Sequence, residues 1–349
     1  MSTAQHKTLT DFVELKNRHA LTHVVRAANE LGVFRALANG QRTVTQLASE
    51  IDADVARLQA LMDVLVQSEL IEQYQDDFAL STLARLIPHA FYDMGDSYWK
   101  HLVGHVKTGS SLDQLEHVTL SDQDFLVNQA AEEWTLTPAG MTTAKALDMG
   151  NSRKGLNIIE LGCGSAVIGA TLIHVDPTSK LTLVDTAEEI SRARQTVESI
   201  EVADQTSMVI ADNWRDFEVL DLSATEVTRE EIENGGQRFI PQPVFDMVIL
   251  TRLVHLEPLE RLGPLLKKIG ALLLARGGEV VIVDVFPGQE EGVSQYSVAA
   301  LEFGLRHSQG RFHDPRELES MLHVAGFPKV QFTHLPAEPF LYGLMLGEK

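Results

Sequence analysis

A single cysteine, Cys163, stands in 349 residues, so no internal disulfide can form and a reducing compartment is expected. Basic residues are scarce too: 29 Lys and Arg against 49 Asp and Glu leave a formal net charge of −20. Nucleic acids are held by concentrated Lys and Arg, which sets that class of partner aside. No uninterrupted apolar span reaches membrane length, and Met1 to Thr10 is polar, without the apolar core of a signal peptide. A cytoplasmic protein with no membrane partner is expected. Neither a repeat nor a Ser/Gly-rich linker is present. The length suits two domains.

What is there begins with helices. Between Ala20 and Leu37, Leu21, Val24, Val25, Ala28 and Leu31 recur at helical spacing, with a break at Gly32. Thr43 can cap a short helix, Asp54 to Leu70 reads as another, and residues 71–74 and 78–81 read as a hairpin. Three helices and a hairpin make a winged helix. The helix that would enter DNA, however, carries Asp52, Asp54, Asp63 and Glu69 against a single Arg57. It is read as solvated or partner-facing.

A helical connector is expected from Ser97 to about Met149. Within it His101 and His105 have the spacing of a metal pair, but no third ligand accompanies them. Trp99, Phe125, Trp134 and Met141 are candidates either for lining a pocket or for the core.

The stretch Asn157 to Ala166 then reads as an apolar strand ending in Glu160, a turn with Gly162 and Gly164, and a helix start. Such a turn offers backbone N–H groups and a helix N-terminus to a nucleotide. About 20 residues on, Asp185 ends a second apolar strand, the place for a carboxylate that accepts from ribose hydroxyls. A dinucleotide fingerprint would need glycine at 167, where this chain has valine. Cys163 has no accompanying His or Asp pattern and reads as a small turn residue. Strands over 158–161, 181–185, 207–211, 245–250 and 278–285 alternate with helices, the pattern of a largely parallel sheet covered on both faces. Residues 221–243 read as a surface insertion. Asp314-Pro315-Arg316-Glu317 starts a last helix that stops at Gly326, and two further strands follow.

Glu160 to Gly164, Glu-x-Gly-x-Gly, resembles motif I of the S-adenosylmethionine-dependent methyltransferases. Ala166 stands where that family usually has glycine, a departure that suits alanine if its φ is negative. Leu47 to Leu86 resembles the dimerisation domain of the small-molecule O-methyltransferases of the hydroxyindole and caffeic-acid type. Ala211-Asp212-Asn213-Trp214 resembles their adenine-binding Gly-Asp-x-Phe motif. In the segment from Leu250 to Glu257, Arg252 and His255 match the family, while Leu256 and Glu257 replace Asp and Trp.

The resemblance implies an α/β, Rossmann-like class I methyltransferase sheet, mostly parallel, with a C-terminal antiparallel hairpin. A winged-helix dimerisation domain over 1–92 precedes it, and the connector and catalytic domain occupy 93–349. It further implies S-adenosylmethionine as cofactor, held by Glu160, Gly162, Gly164, Asp185, Asp212, Asn213, Trp214 and Arg252. His255 would be the general base, a homodimer the assembly, and a phenol or other hydroxylated aromatic the acceptor. A phenol's pKa near 10 leaves it mostly neutral at pH 7, so a base is needed. Glu257 is the expected orienter of the imidazole, and Asp284 is expected to be structural or pocket-lining. No metal is expected, since no carboxylate cluster has ligand spacing near the strand ends. Two other classes stay open: a cofactor-binding enzyme that decarboxylates or hydroxylates, and a cofactor-sensing transcriptional regulator.

Overall fold

The computed structural model describes residues 3–86, 96–114, 136–219, 245–288, 293–337 and 342–349. These fall into two compact units, up to Lys100 and from His101 onward. The expected insertion at 221–243, and with it Phe125 and Trp134, lies outside the described residues. No described helix is long and apolar enough to cross a membrane.

In the first unit α1 (Thr3–Glu30) ends at Gly32, whose φ of 82° breaks the chain before α2 (Val33–Ala38). Strand β1 (Arg42–Thr43) leads into α3 (Val44–Glu50), where the Thr43 hydroxyl and the Gln46 amide form a reciprocal capping box. Asp54 caps α4 (Val55–Gln67), and β2 (Ile71–Tyr74) pairs with β3 (Asp77–Leu80) to complete a three-stranded sheet. Phe34, Leu47, Met62, Leu65 and Phe78 fill its core. The outer face of α1 leaves Phe12 at 63 % and Leu15 at 66 % exposure, a strip of uncovered apolar surface.

The second unit is built on a seven-stranded sheet in the order β6-β5-β4-β7-β8-β10-β9. Strands β4 (Asn157–Leu161), β5 (Lys180–Asp185), β6 (Thr206–Ile210), β7 (Phe245–Thr251) and β8 (Leu274–Val285) run parallel. β9 (Lys329–His334) and β10 (Tyr342–Glu348) form an antiparallel hairpin, with β10 slotted against β8. Strand side chains alternate between two cores. Ile158, Leu181 and Leu183 pack under helix 136–146, α5 (Val167–Val175) and α6 (Ala187–Ser199). Ile159, Leu161 and Val184 pack under α7 (Leu259–Leu272) and, beyond α8 (Val293–Arg306), α9 (Pro315–Ala325). Helices on both faces of a parallel sheet put the strand C-terminal ends in one crevice, on either side of the β4 position where chain direction across the sheet reverses.

Candidate active site

The crevice floor is the turn after β4. Gly162, Gly164 and Ala166 have φ of 58°, 51° and 60°. Ala166 thus corrects the expectation of a negative φ. It serves as the N-cap of α5 in the left-handed region with no side-chain acceptor to give the helix, a conformation that costs an alanine about 1–2 kcal/mol. Glu160 supplies what Ala166 lacks: its Oε2 accepts from the Gly169 N–H at 3.1 Å and its Oε1 from the Thr251 hydroxyl at 2.6 Å. Glu160 is wholly buried, so it shapes the crevice from beneath, tying β4, β7 and α5 together, and offers nothing to a ligand directly. A Cβ at Gly169 would fall 2.4 Å from Glu160 Oε2, which explains the glycine.

Burial pushes the Glu160 carboxyl up to about 7, against hydrogen bonds that pull the other way. The folded protein therefore holds a proton that the unfolded chain releases above its ordinary pKa, and the contribution of this group falls as pH rises towards 7. Glu160→Gln keeps both hydrogen-bonding positions and removes the titration. The stability of the natural protein relative to Glu160→Gln, measured by urea unfolding, is expected to drop by about 2–3 kcal/mol between about pH 5 and pH 8. Parallel pH curves would refute this.

At the end of β5, Asp185 turns back onto the floor. Its Oδ2 accepts from the Gly164 N–H at 2.9 Å and its Oδ1 from the Thr186 N–H at 2.7 Å. Burial raises its pKa above the ordinary carboxylate range. Cys163 is buried, and burial followed by the nearby Asp185 and Glu160 carboxylates drives its thiol well above its usual pKa, the opposite of an activated nucleophile.

After β6, Asp212 is exposed and Asn213 half-buried, while Trp214 is buried beside Gly162 and Leu253. The Arg215 guanidinium stacks 4.5 Å from the Trp214 ring and forms an ion pair with the buried Glu257. The expectation that Glu257 orients His255 is thereby overturned: Glu257 faces the Trp214 loop. Arg252 follows β7 with φ of 54°, in the left-handed region that a side chain occupies only under constraint from its surroundings.

His255, 6 % exposed, lies in a short helical turn over Val254–Leu256. Its partner is Asp284, which ends β8 next to β7: Nδ1 donates to Asp284 Oδ1 at 2.7 Å. The same carboxylate accepts from the His255 N–H at 3.2 Å and from the Val285 N–H at 2.7 Å, and it is fully buried. The carboxylate thus holds the ring by Nδ1, and Nε2 is the nitrogen that Asp284 does not take. Phe303 and Phe312 flank the imidazole at ring-centroid distances of 5.1 and 5.3 Å.

The segment between α8 and α9 holds this turn from behind. His313 Nε2 donates to the Val254 and Glu257 carbonyls at 2.9 and 3.1 Å. Gly310, with φ of 83°, lies so close that a Cβ there would meet the His255 carbonyl at 2.2 Å. Sequence reading took Asp284 as structural or pocket-lining without pairing it to His255, and it missed Gly310 and His313, for which no local signal existed.

His105 Nδ1 bonds the Ser110 carbonyl at 3.0 Å. No group of three or more metal-ligating side chains occurs among the described residues. Met141 is 54 % exposed.

Comparison with known proteins decides part of the identity. Residues 13–87 match the O-methyltransferase dimerisation domain. No curated protein sequence matches the chain. Solved structures do, at low identity. Human N-acetylserotonin methyltransferase, in complex with SAM, is 20 % identical with a TM-score of 0.68, covering 100 % of this chain and 99 % of its own. A riboflavin-analogue N,N-dimethyltransferase, RosA of Streptomyces davawensis, is 19 % identical with a TM-score of 0.71 and full coverage of both chains. An O-methyltransferase family protein of Burkholderia thailandensis is 14 % identical with a TM-score of 0.68, covering 98 % of each. The fold is that of a class I methyltransferase with an N-terminal helical dimerisation region.

Proposed function

We propose that this chain is an S-adenosylmethionine-dependent O-methyltransferase that acts as a homodimer on a hydroxyl of a small aromatic molecule, with His255 as general base. The observation that carries the reading is the His255–Asp284 pair, in which the carboxylate takes Nδ1 and Nε2 is the ring nitrogen left for an acceptor. The dimerisation-domain match and the fold support the class.

The residues present fit the cofactor. A Cβ at Gly164 would meet nothing within 4 Å, so the turn leaves open space beside that residue. Each Asp185 oxygen takes one backbone donor, leaving lone pairs for ribose hydroxyls in a site whose burial disfavours an uncompensated charge. Gly162, Gly164, Asp185, Asp212, Asn213, Trp214 and Arg252 would hold it, with Glu160 supporting the turn. When bound, S-adenosylmethionine supplies a methyl group activated by its sulfonium charge. The chain's own tasks are to align the acceptor oxygen and to take its proton on His255 Nε2, as Asp284 stabilises the imidazolium that forms. A base of this kind is worth on the order of 10²–10⁴ in rate.

Titration with S-adenosylhomocysteine should give saturable binding, and a labelled-methyl assay across phenol, catechol and amine libraries should single out a hydroxylated aromatic. Indifference to S-adenosylmethionine and its product at millimolar levels would end the proposal. Light scattering at micromolar protein should give twice the chain mass of 38.6 kDa, and a monomer would remove the dimer.

A further inference from the structure

On α1, far from the crevice in sequence, His19 and His23 share one face of an exposed stretch of helix. Residues four apart on a helix are neighbours, so the spacing alone brings two imidazoles together. Here they meet more specifically. The two Nε2 atoms are 3.2 Å apart, and the ring centroids 4.7 Å apart with the planes at 86°. The contact is a hydrogen bond in which one ring nitrogen donates and the other accepts, so a bound ion would take the place of that proton. Two lone pairs converging on one ion about 2.1 Å from each nitrogen would hold the ring centroids about 5.0 Å apart, against the 4.7 Å seen. Nitrogens 3.2 Å apart at that bond length subtend about 100°, between the octahedral and tetrahedral angles.

We propose that His19 and His23 form a bidentate chelating site for a divalent transition-metal ion of the zinc, nickel and copper class. Imidazole nitrogen suits these ions, and a helical His pair four residues apart is the arrangement that grips them without backbone movement. No third side chain joins the pair among the described residues, so water fills the remaining coordination positions and affinity is modest. The ion would sit in the segment that matches the dimerisation domain, and the site does not depend on the proposed reaction.

The test is a calorimetric titration of untagged full-length protein with NiCl2 and then ZnCl2. One equivalent per chain is expected, and His19→Ala or His23→Ala should each weaken it roughly tenfold or more. His101→Ala with His105→Ala should leave it unchanged, because spacing without convergence makes no site. Both side chains at the pair are exposed, so the variants should keep the helical circular-dichroism spectrum. Unchanged affinity in either single variant, or no binding at about 1 mM ion, overturns the site.

Discussion

His255→Gln is expected to lower methyl transfer by at least 10²-fold while S-adenosylhomocysteine binds as before. Glutamine fills much of the space of the imidazole but cannot take a proton at neutral pH. The companion change, Asp284→Asn, tests why the base works. The Asp284 carboxylate accepts from three N–H groups, two of them on His255 and one on Val285. An amide that turns its NH2 to His255 Nδ1 would force the ring proton onto Nε2, presenting a donor to an acceptor that must itself give up a proton. A loss on the order of 10²–10⁴ follows, again with cofactor binding kept. Turnover within a few-fold of the natural protein in His255→Gln would remove the base assignment. Unchanged turnover in Asp284→Asn would remove only the orienting role.

Gly310→Ala should cost nearly as much without touching a reacting group. Its added Cβ would lie 2.2 Å from the His255 carbonyl oxygen and 2.7 Å from the Leu256 carbonyl carbon, both backbone atoms, at a φ of 83°. Neither neighbour can swing away as a flexible side chain could, so the turn carrying His255 must move. Left-handed strain and overpacking together come to about 2–4 kcal/mol of stability, and displacement of the imidazole by even about 1 Å is worth on the order of 10²-fold in rate. Gly277→Ala is the control: its φ is 78° and a Cβ there meets nothing within 4 Å. That variant should lose only the strain, about 1 kcal/mol, and keep full turnover. Equal effects of the two changes on urea midpoint and turnover would show that the contact with the His255 turn is immaterial.

The elements were legible because their signals are local. Thr43 caps α3, a helix begins at Asp54, and Asp314 with Gly326 bounds α9, as the spacing predicts; the Gln46 half of the capping box and the Asp54 cap came with the structure. The alternation of apolar runs and helices was enough for a parallel sheet, since both faces of such a strand are buried. The site was legible in part. Gly162, Gly164 and Asp185 meet at the crevice because each ends a neighbouring strand of known direction. The errors came from the same source: Glu257 was chosen as the partner of His255 for being two residues away. In the fold the ring turns to Asp284, 29 residues on, because β7 and β8 are parallel neighbours whose ends lie side by side.

Sequence alone determined, then, which segments become strand, turn and helix, and that acids and glycines end the strands. Those outcomes depend on hydrophobic period and on backbone sterics within a few residues. Tertiary structure alone decided that Asp284 pairs with His255, that Arg215 claims Glu257, that His313 bonds the Val254 and Glu257 carbonyls from 59 and 56 residues on, and that Gly310 lies against the His255 carbonyl. It also decided that the His19 and His23 rings meet while His105 bonds the Ser110 carbonyl. Side-chain direction is set by what closes over each position in space, and no local pattern encodes that.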